Sequence, residues 1–192
     1  MQRAVPLGDG GMLAILGLDV HAVEELCRVV RAGGGLVEIA ADNCPGNVVV
    51  SGRSSDLPQL EALARELDAM DVLSLAVSAP FHSSMLLPAS RELRGVLADV
   101  PLAKPEFSFF ANVTALPMAD PERIRENLVR QVFMPLRWRQ SLERMVPMVK
   151  RMVQVGPGRA LLGHLKRLNR RFPALAVETA ADLEALIEVA AP

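Results

Sequence analysis

The chain has 192 residues, 51% of them hydrophobic and 22% charged, with 21 basic side chains against 22 acidic ones for a net charge of −1. That length buries a real core in one ordinary domain with room for a smaller one inserted, and the even charge excludes a disordered chain or a nucleic-acid-coating surface. Apolar runs such as Val48–Val50 and Ala185–Ile187 fall far short of the roughly 20 residues a membrane-spanning helix needs.

The N-terminal residues lack the charged-then-apolar pattern of a secretory signal. Cys27 and Cys44 have neither metal-ligand spacing nor the density of a disulfide scaffold, so reduced thiols in a cytoplasm are expected. In chain order the pattern predicts a strand over 12–16, then a helix over 19–31 with Asp19 as N-cap and Val23, Leu26, Cys27 and Val30 on one face. Gly33-Gly34-Gly35 ends it. Strands over 36–41 and 48–51 flank a hairpin turn at Pro45-Gly46. Ser54-Ser55-Asp56 offers a cap for a helix bearing Leu60, Leu63, Ala64 and Leu67, and 72–77 returns to strand. The order β-α-β-β-α-β over 12–77 predicts a ferredoxin-like subdomain.

Beyond it the pattern predicts helix over 84–100, strand over 107–111, and helices over 121–131 and 138–148. Strand over 152–155, helix over 161–170, strand over 175–177 and helix over 182–189 follow. Alternation of this kind argues for a parallel sheet covered by helices, of which about three strands are present, so that larger α/β domain is expected to be partial.

Chemistry concentrates at Val77-Ser78-Ala79-Pro80-Phe81-His82-Ser83-Ser84. The strand is expected to run into a turn that displays His82 at a sheet edge, where open α/β sheets place reactive groups. A histidine there suits general-base work on a hydroxyl or thiol, or else fills the turn and caps the next helix. No Gly-x-Ser-x-Gly nucleophile turn occurs in the 192 residues. Ser51 lies in the hairpin region, and Ser83 and Ser84 read as helix caps.

Several stretches together carry a resemblance: Met1–Pro6 with Gly11–Gly17, Asn43-Cys44-Pro45-Gly46-Asn47-Val48-Val49-Val50-Ser51-Gly52, Ser78–Ser83, Asn112-Val113-Thr114, Leu128–Gln131 and Val155–Gly158. In that order they resemble the malonyl-CoA:acyl carrier protein transacylases, with polyketide acyltransferase domains as close relatives. The resemblance implies an α/β hydrolase-like acyltransferase core, of which 1–11 and 78–192 would be the C-terminal part, around the inserted subdomain. It also implies ping-pong transfer of malonyl from malonyl-CoA through a serine to the phosphopantetheine thiol of acyl carrier protein, with no metal or cofactor. His82 matches the family's base and Gln131 the position whose backbone carbonyl orients it. Asn43 and Asn112 match polar positions around the site. Phe81 matches the residue whose aromatic ring excludes the extra methyl of methylmalonyl. The family's serine turn, its glutamine loop and its carboxylate-gripping arginine have no counterpart here; Arg3 falls after the arginine position. The chain is therefore expected to supply the base half of a two-part site, inactive alone and completed by an N-terminal companion segment. The alternatives are a non-catalytic carrier-protein or coenzyme A binding module and a truncated remnant.

Gly156-Pro157-Gly158 is either a phosphate-facing loop or a tight turn. Lys150, Arg151, Arg159, Lys166, Arg167, Arg170 and Arg171 either meet coenzyme A or an acidic carrier protein or form a solvated face. Asn127 and Gln140 read as surface residues, and His21 and His164 have no second metal ligand nearby in sequence.

Overall fold

Asp19 opens helix α1 (Val20–Ala32) by accepting from the N–H groups of His21 and Ala22 at 2.8 and 3.0 Å, which satisfies two of the donors a helix start leaves free. In the computed structural model, which describes residues 3–190, this helix joins strands β1 (Gly10–Leu16) and β2 (Val37–Cys44). Strand β3 (Asn47–Arg53) returns through the Pro45-Gly46 turn, where Gly46 takes a φ of 68°, a conformation open to glycine at no steric penalty. Helix α2 (Leu57–Glu66) and strand β4 (Asp71–Ser74) follow. The sheet order is β2-β3-β1-β4 with every neighbouring pair antiparallel. This is the ferredoxin-like arrangement expected from the element order.

Both faces of this sheet are used. Alternate residues Leu13, Ile15, Val37, Val48, Val50 and Val72 pack under Val23, Cys27 and Val30 of α1 and Leu57, Leu60 and Ala64 of α2. The residues between them, Met12, Ala14, Ala40 and Val49, face the other way and meet Leu75, Phe81 and Leu136. Two covered faces explain why Val48-Val49-Val50 reads as an unbroken apolar run instead of an alternation. The free side of β2 bulges at Ala40 and Asn43. There Leu136 N–H donates to the Ala40 carbonyl at 2.9 Å and Asp42 N–H to the Leu136 carbonyl at 3.0 Å. Buried Asp42 also takes Arg139 Nε on both carboxylate oxygens and Gln140 Nε2 at 2.8 Å. The exposed edge is thereby covered.

After β4 the chain leaves the sheet. A 3-10 turn (Ser84–Leu86) leads into α3 (Leu87–Ala98), then β5 (Phe109–Ala111), β6 (Leu116–Met118), α4 (Pro121–Gln131) and α5 (Trp138–Met145). The contacts divide the chain between Ser141 and Leu142 into two compact units. The second contains β7 (Met152–Val155), α6 (Ala160–Leu168), β8 (Ala174–Val177) and α7 (Ala180–Ala190), with β7 and β8 paired in parallel from Met152↔Ala174 to Val155↔Val177.

Five expectations change. The strand at 72–77 stops at Ser74, because Val77 N–H turns back to the Leu75 carbonyl. The strand at 107–111 does not join a parallel sheet; it pairs antiparallel with the unanticipated β6, so parallel pairing among the described residues is confined to β7–β8 and the single bridge Ala41↔Leu136. The helix at 84–100 begins as the 3-10 turn, and that at 138–148 ends as one over Val146–Met148. Asp56 stands at the cap position of α2 but gives its carboxylate to Leu36 N–H at 2.7 Å. Met1, Gln2, Ala191 and Pro192 lie outside the described residues, as does the start of the Met1–Pro6 motif.

Candidate active site

Asp120 caps α4 through Glu122 N–H, and Pro121 sits at its first turn, where a missing N–H is harmless. The other end of α4 carries the chemistry. A helix leaves its last carbonyls without helical partners, and two of these meet one residue. His82 N–H donates to the Val132 carbonyl at 3.2 Å, and His82 Nδ1 lies 2.7 Å from the Gln131 carbonyl oxygen. A carbonyl only accepts, so Nδ1 carries the proton and Nε2 presents its lone pair. His82 holds φ at +60°, a left-handed conformation that is uncommon for a non-glycine residue and persists where surroundings impose it.

Those surroundings are dense. Pro80 approaches β1 so closely that a Cβ on Gly10 would fall 2.5 Å from its ring. The Pro80 carbonyl accepts from Ser83 Oγ at 2.7 Å and the Phe81 carbonyl from Ser51 Oγ, while Ser84 N–H donates to Glu38 Oε2 at 2.6 Å. His82 is in a turn, as the sequence predicts, but β4 stops at Ser74, so the turn does not follow directly on a strand. The preceding Phe81 packs against the sheet face opposite α1 and α2.

The imidazole is half-buried and lines a cavity of about 360 Å³ with Phe81, Gln131, Leu93, Leu97 and Leu128. Removal from water lowers its pKa below the ordinary histidine value, and the Gln131 carbonyl opposes this by favouring the protonated ring. With a carbonyl as the orienting group the imidazolium gains no adjacent anion. The ring thus stays neutral, and able to accept a proton, to lower pH than a free histidine.

Asn112 joins the group: its Nδ2 donates to Gln131 Oε1 at 3.0 Å, and its own carbonyl accepts from Arg137 N–H at 2.8 Å. His82, Gln131, Phe81 and Asn112 are thus brought together. Asn43 is not among them; its hydrogen bond is to Asn47 across the hairpin at 3.2 Å. Asn127, read as a surface residue, is buried in α4 with Nδ2 on the Arg123 carbonyl at 2.8 Å. Sequence reasoning missed Glu38 and Ser51. The one signal was a serine closing a buried valine run, because a fully buried hydroxyl needs a partner. Among the described residues no hydroxyl is bonded to His82, and no His/Cys/Asp/Glu cluster could hold a metal.

A ferredoxin-like subdomain beside α/β elements, with a carbonyl-oriented histidine on a turn against its sheet, is the architecture of an acyltransferase fold. No protein-family model matches the chain. It is, however, a homologue of the malonyl CoA-acyl carrier protein transacylases: 35% identical to that of Bacillus subtilis (strain 168) over 189 residues, 98% of this chain and 60% of the relative. A crystal structure of an acyl-carrier-protein S-malonyltransferase from Bartonella henselae superposes with a TM-score of 0.93 at 39% identity, over 98% of this chain and 60% of that one. A complex of a type II polyketide synthase acyl carrier protein with its malonyl-transacylase matches at a TM-score of 0.93 and 34% identity, over 98% and 61%. The chain spans about three fifths of the length of the relatives it matches.

Proposed function

We propose that this chain supplies the general base for transfer of malonyl from malonyl-CoA to the phosphopantetheine thiol of an acyl carrier protein in the cytoplasm, in fatty acid or polyketide synthesis. The observation that carries the reading is His82, with Nδ1–H fixed on the Gln131 carbonyl and Nε2 free of any partner among the described residues. In the first half-reaction Nε2 takes the proton of a serine hydroxyl as its oxygen attacks the thioester carbonyl, and the imidazolium returns that proton to the departing coenzyme A thiolate. In the second, Nε2 takes the proton of the pantetheine thiol, the sulfur attacks the malonyl-serine ester, and the proton goes back to the serine oxygen. Gln131 and Asn112 orient the ring through one linked set of hydrogen bonds. Phe81 narrows the acyl site against a methyl branch, and Asn43 contributes polar surface further out.

The serine comes from a segment outside these 192 residues, joined or separate, since they contain no Gly-x-Ser-x-Gly. The test is malonyl transfer from labelled malonyl-CoA to holo carrier protein, with the chain alone and mixed with a relative's N-terminal segment that carries the serine turn. The expected result is no transfer alone and transfer on mixing, with His82→Ala lowering the reconstituted rate by ~10² to 10⁴-fold. Robust turnover by the chain alone would overturn the proposal. A second reading, a carrier-protein or coenzyme A binding module without chemistry, draws on the absence of a hydroxyl partner for His82 among the described residues. Under it His82→Ala leaves carrier-protein affinity unchanged and no mixture regains transfer.

A further inference from the structure

The two contacts from α4 hold the His82 N–H and its ring but leave the rest of the turn to other groups. The peptide just before His82 is held at the Phe81 carbonyl by Ser51 Oγ, and the peptide one residue after it at Ser84 N–H by Glu38. These two side chains are not independent. Glu38 and Ser51 are direct cross-strand partners in the β2–β3 register, so both project from one rung onto the same face of the sheet. That face is the one on which Phe81 packs.

Glu38 also does what the local sequence does not. Ser83 occupies the cap position of the 3-10 turn that leads into α3, yet its hydroxyl is committed to the Pro80 carbonyl and makes no cap bond. The donor at Ser84 is met instead by a carboxylate from the sheet, 46 residues earlier in sequence. A charged acceptor at a helix start is a stronger bond than a neutral one and is favoured by the peptide dipoles behind it. The point where this helix begins is two residues after His82.

We propose that Glu38, acting with Ser51 from the same rung of the sheet, is a positioning residue for His82, fixing the peptides on either side of it so that the imidazole stays on the Gln131 carbonyl. This rests on the base role given to His82 above. Without the Glu38 acceptor, the Ser84 N–H turns toward water, the helix start frays, and His82 is free to leave its left-handed conformation and swing off α4.

The experiment reads the ring directly and needs no turnover. Nitrogen-15 spectra of the histidine side chains above pH 8, on the 192-residue chain and on Glu38→Val, Glu38→Gln and Ser51→Ala, report which ring nitrogen of His82 holds the proton; Ser84 amide exchange is followed in parallel. The parent is expected to show the Nδ1–H form. Glu38→Val is expected to mix in the Nε2–H form and speed Ser84 exchange at least tenfold, and Glu38→Gln, whose amide oxygen still accepts, to restore most of the parent signature. Ser51→Ala provides the second arm if Glu38→Val does not fold. An unchanged tautomer and unchanged Ser84 exchange in folded Glu38→Val, or an unchanged tautomer in Ser51→Ala where Glu38→Val does not fold, would overturn the proposal. In the reconstituted transfer assay Glu38→Val should lower kcat roughly tenfold or more with KM little changed, since small misplacements of a catalytic group are expensive in rate. If the parent mixture shows no transfer while the tautomer responds as expected, the reaction assignment falls and the positioning role stands.

Discussion

The four-stranded unit and the β7–β8 unit both carry apolar strands, the second more densely (Met152-Val153-Gln154-Val155 and Ala174-Leu175-Ala176-Val177), yet they stand in opposite relations to water. In the first, Val48, Val49 and Val50 are all buried, because helices cover one face of the sheet and the His82 turn and Leu136 cover the other. In the second, Val155 is 79% exposed, Val153 39% and Leu175 38%. A buried valine or leucine contributes about 1.5–3 kcal/mol relative to an exposed one, so the first sheet stabilises itself and the second leaves part of that contribution unused. The difference teaches that apolar content alone does not predict a core. What matters is whether the same chain also carries the layer that covers it.

The sharpest way to break the comparison is a matched pair of truncations. Leu60, on the inner face of α2, is fully buried against the sheet, and Leu60→Ala is expected to lower stability by about 2–5 kcal/mol. Val155→Ala is expected to stay within about 0.5 kcal/mol. Denaturant unfolding of the two variants reads both, and similar losses would mean that the exposed strand is covered in solution.

Thiol chemistry offers an effect of comparable size. Burial, with a smaller contribution from Glu24, pushes the Cys27 thiol up to about 12. Against an ordinary thiol near 9.0 that is roughly a thousandfold less thiolate at neutral pH, and only the thiolate reacts. A disulfide reagent is expected to modify Val155→Cys at once and Cys27 only on unfolding. Rapid labelling of Cys27 in the folded chain would show that the closed region opens.

A smaller effect isolates the second face of the sheet. Gly10→Ala places a Cβ against the rigid Pro80 ring, so backbone must move, at about 1–3 kcal/mol. The expected signature is a disturbed His82 environment with the α1–α2 face unchanged, seen by comparing amide shifts on the two sides.

What was legible in the sequence follows the same division. The β-α-β-β-α-β order could be read because Asp19, the glycine triplet and Pro45-Gly46 punctuate it locally. The bounds of α4 could be read because Asp120-Pro121 announces its start. Strand β6 was hidden because Pro117 sits at its centre, and proline is tolerated only in edge strands. The extension of β1 back to Gly10 was hidden because glycine is a poor strand former, present here to admit Pro80. At the site, His82 and its neighbours stood out through the motif around them. The bonds that tie the His82 turn to the sheet and to the end of α4 join residues 30 to 50 positions apart, and no local pattern encodes such pairings. Asn127 misled because a lone polar residue on a charged helix looks exposed until its neighbours are known.

The smallest effect is one of pH, and each unit contains a histidine that carries it. Burial lowers the folded-state pKa of both His82 and His164 below 6.5, but the second influence differs. For His82 the Gln131 carbonyl favours the protonated ring and opposes burial. For His164 the Arg167 charge adds to burial, and its Nδ1 is enclosed without a partner among the described residues. As pH falls through 6.5 the unfolded chain takes up these protons first. Each histidine therefore contributes stability that is whole above pH 6.5 and is lost as pH falls through its folded-state value. Charging His164 places a cation beside Arg167, with no acceptor for Nδ1 among the described residues, whereas charging His82 retains its carbonyl bond. Amide exchange measured from pH 8 down to pH 5 is expected to rise around residues 160–177, and His164→Leu is expected to flatten that rise without altering the pH response near His82. A rise that persists in His164→Leu would place the acid-sensitive group elsewhere and remove this distinction between the two units.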